Sequence, residues 1–333
     1  MSRAGRIAWG AALALLACGL TFSIGPRNGE IAWEPAPTTP VHLPEPLEAL
    51  ERHLRAEEAR FPGLTPGTEK HIVWGEKGRQ RAPWAVVYLH GFSATRQEMA
   101  PLPERLAASL GGNTFYTRLA GHGLPGEAMG EASIGQWKAD ALEALQVGQR
   151  LGERVLVVGA STGATLAAWL AQREEAKDVA GWVLISPNFG PRDPKAGVIN
   201  WPWGRSIARM VQGPEYQETP ANERKARFWT HRYPTKALFP MMALVERVRG
   251  SELGKIQAPT LMLMSPRDTV IDVSEARAAF ERIGSARKQL IEVDYSESPG
   301  QHVLAGEIDA PRAVQPMLEQ IREFVATQVE PRP

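Results

Sequence analysis

Cysteine is almost missing from this chain. Its 333 residues include one, Cys18, and it lies in an apolar N-terminal stretch. The rest of the chain can form no disulfide, ligate no zinc through thiolate and offer no thiol nucleophile. An excess of one charge is missing too. The formal net charge is +1, and no block of basic residues stands out, which speaks against a nucleic-acid partner. No internal repeat is visible. What the chain does have is a hydrophobic fraction of 43%, enough for one sizeable core with an inserted subdomain.

The N-terminus reads as a targeting segment over residues 1–30. Arg3 and Arg6 precede an uncharged apolar run, Ile7 to Gly25. The run is close to the roughly 20 residues of a spanning helix. It is longer than the roughly 7–15 residues of a cleaved signal core, and no A-x-A site follows. The positive flank predicts an inner-membrane anchor with the rest of the chain in the periplasm, a cell-envelope location. The alternative is a lipoprotein lipidated at Cys18, since "LLAC" resembles a lipobox. Residues 31–66 read as a Pro-rich linker, Pro35 to Pro46, and a leading amphipathic helix with Leu47, Leu50, Leu54 and Phe61 near helical spacing.

From residue 67 to 330 one domain is expected, in which strands and helices alternate. Strands are predicted at Glu69–Gly75, Ala85–Leu89, Thr114–Leu119, Val155–Val158, Trp182–Ile185, Thr260–Met264 and Gln289–Val293. Helices are predicted at Gln97–Leu110, Ile134–Leu151, Thr162–Glu174, Val273–Ile283 and Ala313–Ala326. Such alternation implies an α/β fold, a mostly parallel central sheet with helices on both faces. Between about 188 and 250 the alternation stops. Prolines, three tryptophans and the charged run "NERKARF" fill this stretch, which reads as an inserted lid. Trp201, Trp203 and Trp229 are its candidate substrate contacts, and the charged run reads as a solvated face.

"GASTG" at Gly159–Gly163 follows the apolar strand "VLVV" and precedes a helix. In that context G-x-S-x-G is a sharp strand-to-helix turn that exposes a hydroxyl at the end of the sheet. Ser161 is therefore the candidate nucleophile. A nucleophilic Ser needs a base, and the base needs an orienting acid. Of the seven histidines, only His231 and His302 follow Ser161, and only His302 lies just past a sheet strand. The acid should sit at a strand end between them. Asp268 and Asp272 both qualify by position in "SPRDTVID". Asp268 is the better triad acid, because Asp272 can cap the next helix. The oxyanion hole calls for two fixed N–H donors. Thr162 and Phe92, the latter in "LHGF", are the candidates, with His90 bracing that turn.

Together "LHGF", "LAGHG", "GASTG", "SPRDTVID" and "QHV" resemble the α/β-hydrolase superfamily, and within it bacterial carboxylesterases and monoacylglycerol-lipase-like serine hydrolases. The resemblance spans about Glu69 to Thr327. It implies an α/β-hydrolase fold with a cap after the sixth strand. It also implies a catalytic triad of Ser161, Asp268 and His302, with Phe92 and Thr162 as oxyanion donors. The expected activity is hydrolysis of carboxylic esters, on a small-molecule or lipid substrate, through an acyl-enzyme on Ser161. Neither cofactor nor metal is called for. Peptidase and thioesterase chemistry use the same triad, and a non-catalytic lipid-binding envelope protein is the reading from another class. Acyl length, alcohol and oligomeric state are not readable from the sequence.

Overall fold

A computed structural model of the chain describes residues 3–35 and 42–330. Residues 36–41, inside the predicted linker, lie outside the described residues.

Among the described residues nine strands form, in chain order: β1 (His71–Val73), β2 (Ala82–Leu89), β3 (Asn113–Tyr116), β4 (Gly152–Ala160), β5 (Gly181–Ile185), β6 (Glu215–Gln217), β7 (Arg232–Pro234), β8 (Thr260–Met264) and β9 (Lys288–Glu292). Seven make the central sheet, in the order β1-β3-β2-β4-β5-β8-β9. Only β1 runs antiparallel to its neighbour. β6 and β7 pair apart, in the insertion between β5 and β8 that the sequence predicts as a lid.

The apolar runs explain the layering. Side chains alternate across a strand, so an uninterrupted apolar strand must be covered on both faces. On β4, Val155 and Val157 enter one core cluster, and Leu156, Val158 and Ala160 the other. Met262 and Met264 of β8 face the first cluster, and Leu261 and Leu263 the second. The helix Ile134–Leu151 covers the first face, its entry fixed by a capping box between Ser133 and Gln136. The helices Leu102–Ser109 and Val314–Phe324 cover the second. The predicted helix Gln97–Leu110 is broken. A short turn, Arg96–Glu98, comes first and the helix proper starts at Leu102, because Pro101 and Pro103 cannot donate to a preceding helical turn.

The N-terminal residues are helical over Arg3–Ser23. Among the described residues no helix is long and apolar enough to cross a membrane, so the expected membrane anchor has no support there.

The next residues do not leave the body. The backbone of Arg27 pairs with Pro202, and Trp203 N–H donates to Pro26 O at 3.0 Å. Asn28 is fully buried. Its amide donates to Asn200 Oδ1 at 3.0 Å and to Phe239 O at 2.9 Å, and Arg205 Nε donates to its Oδ1 at 2.9 Å. Further on, Glu34 accepts from Ser133 and from Gly135 N–H. Residues 25–35 are thus a strap from lid to body. The leading helix, Leu47–Glu58, is part of the body as well, with Leu50 and Leu54 in the first core cluster.

Asn28→Ala should destabilise the protein by about 1–3 kcal/mol, since it removes the acceptor of a half-buried guanidinium and strands a buried carbonyl. A thermal melt checks this, and an unchanged melt would mean that the strap carries no stability.

Candidate active site

The site begins with the turn after β4. Ser161 has φ 51° and ψ −119°, a conformation sparsely populated by any residue but glycine. The flanking glycines let the strained turn fit. A Cβ on Gly159 would lie 2.7 Å from Ala164 Cα, and one on Gly163 would lie 2.1 Å from Leu89 O. Strand and helix approach too closely for any side chain at either position. The helix Thr162–Leu170 then points its N-terminus at the Ser161 hydroxyl.

His302 and Asp268 come from the loops beyond β9 and β8. His302 Nε2 lies 2.9 Å from Ser161 Oγ, and His302 Nδ1 lies 2.7 Å from Asp268 Oδ2. Asp268 is buried. Its other oxygen accepts from the N–H groups of Val270 at 2.8 Å and Ile271 at 3.1 Å. The carboxylate is thereby fixed with one oxygen on the imidazole, which leaves Nε2 free to accept a proton from Ser161. Asp272 stands elsewhere, as the N-cap of Val273–Arg282, accepting from Ser274 and Glu275 N–H. His231 belongs to the lid, between Glu218 and Lys225 O.

The N–H groups of Phe92 and Thr162 carry no hydrogen bond to protein among the described residues, and both residues border the cavity that holds Ser161. Two histidines hold the Phe92 turn. His90 Nδ1–H donates to Gly91 O at 2.9 Å and Nε2 accepts from Leu119 N–H at 3.0 Å. His122 Nδ1–H donates to Ala120 O and Nε2 accepts from Ser93 N–H at 3.1 Å. Burial keeps both rings neutral. It pushes His90 well below the usual histidine range and His122 down to about 4.

That shift has a pH consequence. An unfolded His122 takes up a proton near pH 6.5, the folded one near pH 4, so unfolding gains protons in between. Stability from His122 is full above pH 6.5 and falls by about 3 kcal/mol as the pH drops to 4. Thermal melts across pH 4–7 should show this slope, and His122→Gln should make it shallower, with His90 supplying a remainder of the same sign.

The cavity has a volume of about 730 Å³. Ser161 and His302 lie on its floor, and one wall is apolar: Ile199, Ile207, Val211, Leu238 and Met241. Of the three candidate tryptophans, Trp229 lines the cavity, and Trp201 and Trp203 do not. Trp201 is 54% exposed and Trp203 40%. Trp203 instead starts the lid helix Gly204–Gln212 and donates its indole N–H to Thr21 O. Its ring packs against Gly25, at the start of the strap. The charged lid run also differs from a simple solvated face. Lys225 pairs with Asp309 at 2.7 Å and Arg224 with Glu307 at 3.5 Å, which clips the lid to the loop after His302. One lining residue, Glu98, was not singled out from the sequence. Its only local signal is an acid six residues past the Phe92 turn.

Among the described residues no cluster of His, Cys, Asp and Glu is arranged to hold a metal ion.

Residues 80–297 match the family described as serine aminopeptidase, S33. A thermostable monoacylglycerol lipase of Bacillus sp. (strain H-257) is 27% identical over 244 residues, covering 72% of this chain and 91% of that protein. Among solved structures, one from work on LipS and LipT, two metagenome-derived lipolytic enzymes, aligns with a TM-score of 0.63 at 20% identity over 79% of this chain and 98% of that one. The monoacylglycerol lipase of Paleococcus ferrophilus aligns with a TM-score of 0.56 at 16% identity, over 79% of this chain and the whole of that one. At these identities the structural likeness bears on the fold.

Proposed function

The chain belongs to the serine aminopeptidase S33 family, within the α/β-hydrolase superfamily, and from that premise we propose that it hydrolyses lipid-like carboxylic esters through an acyl-enzyme on Ser161. One observation carries the reading: the unbroken hydrogen-bond chain Ser161–His302–Asp268 at the floor of a cavity with an apolar wall.

In this mechanism Ser161 Oγ attacks the ester carbonyl as His302 Nε2 takes its proton. The N–H groups of Phe92 and Thr162 bind the carbonyl oxygen as it gains charge, each worth roughly 3–4 kcal/mol in the transition state. Asp268 holds the imidazole in its tautomer and stabilises the imidazolium. His302 returns the proton to the leaving alcohol oxygen. A water molecule activated by His302 then releases the acid and frees Ser161. The acyl chain lies along Ile207, Leu238 and Met241, and Trp229 adds an aromatic surface. A monoacylglycerol is the substrate that best combines such a chain with a small polar alcohol. The similarity to the Bacillus lipase supports that choice.

Hydrolysis of p-nitrophenyl esters from C2 to C16, with Ser161→Ala alongside, tests the proposal. We expect Ser161-dependent turnover that rises from the shortest chains toward medium and long ones. Turnover that is unchanged in Ser161→Ala, or absent on every chain length, would overturn it.

A further inference from the structure

Beside Ser161 the cavity contains a carboxyl group that the mechanism above does not use. Glu98 ends the short turn Arg96–Glu98, just past the Phe92 loop, and is 3% exposed. Its Oε1 accepts two hydrogen bonds, from the Tyr88 hydroxyl at 2.7 Å and from Gly91 N–H at 2.6 Å. Its Oε2 has no hydrogen bond among the described residues, although Glu98 lines the cavity. A Cβ on Gly91 would lie 3.1 Å from Oε2 and 3.2 Å from Ser161 Cβ. The free oxygen and Ser161 Cβ thus both border the space beside one glycine.

The surroundings say which half of an ester Glu98 faces. Its turn is packed on the loop that follows His302. A Cβ on Gly306 would be 2.2 Å from Glu98 O, and Glu307 N–H donates to Ala100 O at 3.0 Å. His302 is the group that hands a proton to the leaving oxygen, so the neighbourhood of its loop is the leaving-group side. The apolar wall of Ile207, Leu238 and Met241 belongs to the lid and to the helix Leu238–Arg249. A carboxyl oxygen that opens only into the cavity loses its solvent donors when substrate fills that space, and leaving it without a donor is then costly. A hydroxyl on the bound alcohol would supply that donor.

From this juxtaposition we infer that Glu98 selects esters of hydroxyl-bearing alcohols, its Oε1 fixed by Tyr88 and Gly91 and its Oε2 accepting a hydroxyl of the polyol leaving group. The inference rests on the esterase reading and assigns its alcohol specificity. Burial is the main cause that pushes the Glu98 carboxyl up, to about 7. The charged groups that face it are His302 and Asp309 from the loop after β9, with Lys225 of the lid paired to Asp309. Tyr88 faces it from β2, and Arg96, on its own turn, pairs with Glu69 instead.

The test compares a 1-monoacylglycerol with the methyl ester of the same acyl chain. Both are assayed with wild-type enzyme and with Glu98→Leu, Glu98→Gln and Tyr88→Phe. Wild-type enzyme should prefer the glyceryl ester. Glu98→Leu should lose about tenfold or more in kcat/KM on the glyceryl ester beyond its loss on the methyl ester, the effect of one charge-assisted hydrogen bond. Glu98→Gln, which keeps the Oε1 contacts but puts an uncharged NH₂ group at the Oε2 position, should recover only a minor part of that difference. Tyr88→Phe, which removes a contact only from Oε1, should lower both rates in equal proportion.

Equal losses on the two esters in Glu98→Leu would mean that Glu98 merely braces the Phe92 loop, and no loss would overturn the inference as well. If Glu98→Leu does not fold, the wild-type ratio of glyceryl to methyl turnover decides. It should change through pH 7 and become flat in Glu98→Gln, and a flat wild-type ratio contradicts the inference. Methyl-ester turnover without glyceryl preference sinks the Glu98 assignment alone. No turnover on either ester, with Ser161 unlabelled by a fluorophosphonate, sinks the esterase reading beneath it.

Discussion

Asp268→Asn should lower kcat on a p-nitrophenyl ester by about 10⁴-fold while leaving the protein folded. The reason lies in the two oxygens. Oδ1 accepts from Val270 and Ile271 N–H, and an asparagine Oδ1 can still do so. Oδ2 faces His302 Nδ1 at 2.7 Å. An amide NH₂ in that place donates, so Nδ1 must accept and the ring proton moves to Nε2. The imidazole then offers Ser161 a donor where a base is needed. Steady-state kinetics with a thermal melt separate this from unfolding. A loss below tenfold in a folded variant would mean that Asp268 does not set the tautomer.

Gly163→Ala should be among the most damaging single-methyl changes in the chain. The new Cβ would lie 2.1 Å from Leu89 O and 2.5 Å from His90 O. Both are backbone atoms, at the end of β2 and the start of the Phe92 loop, so no side chain can swing aside. The helix Thr162–Leu170 must move off the sheet and carry Ser161 with it. We expect a stability loss of about 3 kcal/mol or more, the upper part of the overpacking range, together with collapse of ester turnover. Gly197→Ala is the control, since a Cβ there meets nothing within 4 Å. It should change stability by no more than about 0.5 kcal/mol. A folded, active Gly163→Ala would show that the turn is far more pliant than its contacts imply.

What could be read from the sequence divides along a physical line. β4, β8 and the helix Ile134–Leu151 were legible because their signals are local: unbroken apolar runs and an amphipathic repeat. Ser161, Asp268 and His302 were legible as a set because a sharp glycine turn and strand ends fix their places in the chain. The insertion between β5 and β8 was legible as an interruption of the alternation, but not which way its residues face. Trp201 and Trp203 look like pocket residues by composition, and the strap made by residues 25–35 turns Trp203 away from the cavity. The strap itself is invisible locally. Asn28 is buried because of Asn200, Arg205 and Phe239, all more than 170 positions away. Glu98 was hidden for the same reason, since its meaning comes from Gly91, Tyr88 and the loop of His302 brought together by folding.

The measurement to make first is mass spectrometry of the protein quenched in acid during turnover of a p-nitrophenyl ester, followed by peptide mapping. A catalytic Ser161 predicts a mass increase equal to the acyl group, on the peptide that contains Ser161, and none in Ser161→Ala. The same peptide should carry the adduct of a fluorophosphonate. An enzyme that turns over ester with neither adduct on that peptide, or with the acyl group on another residue, would contradict the acyl-enzyme on Ser161.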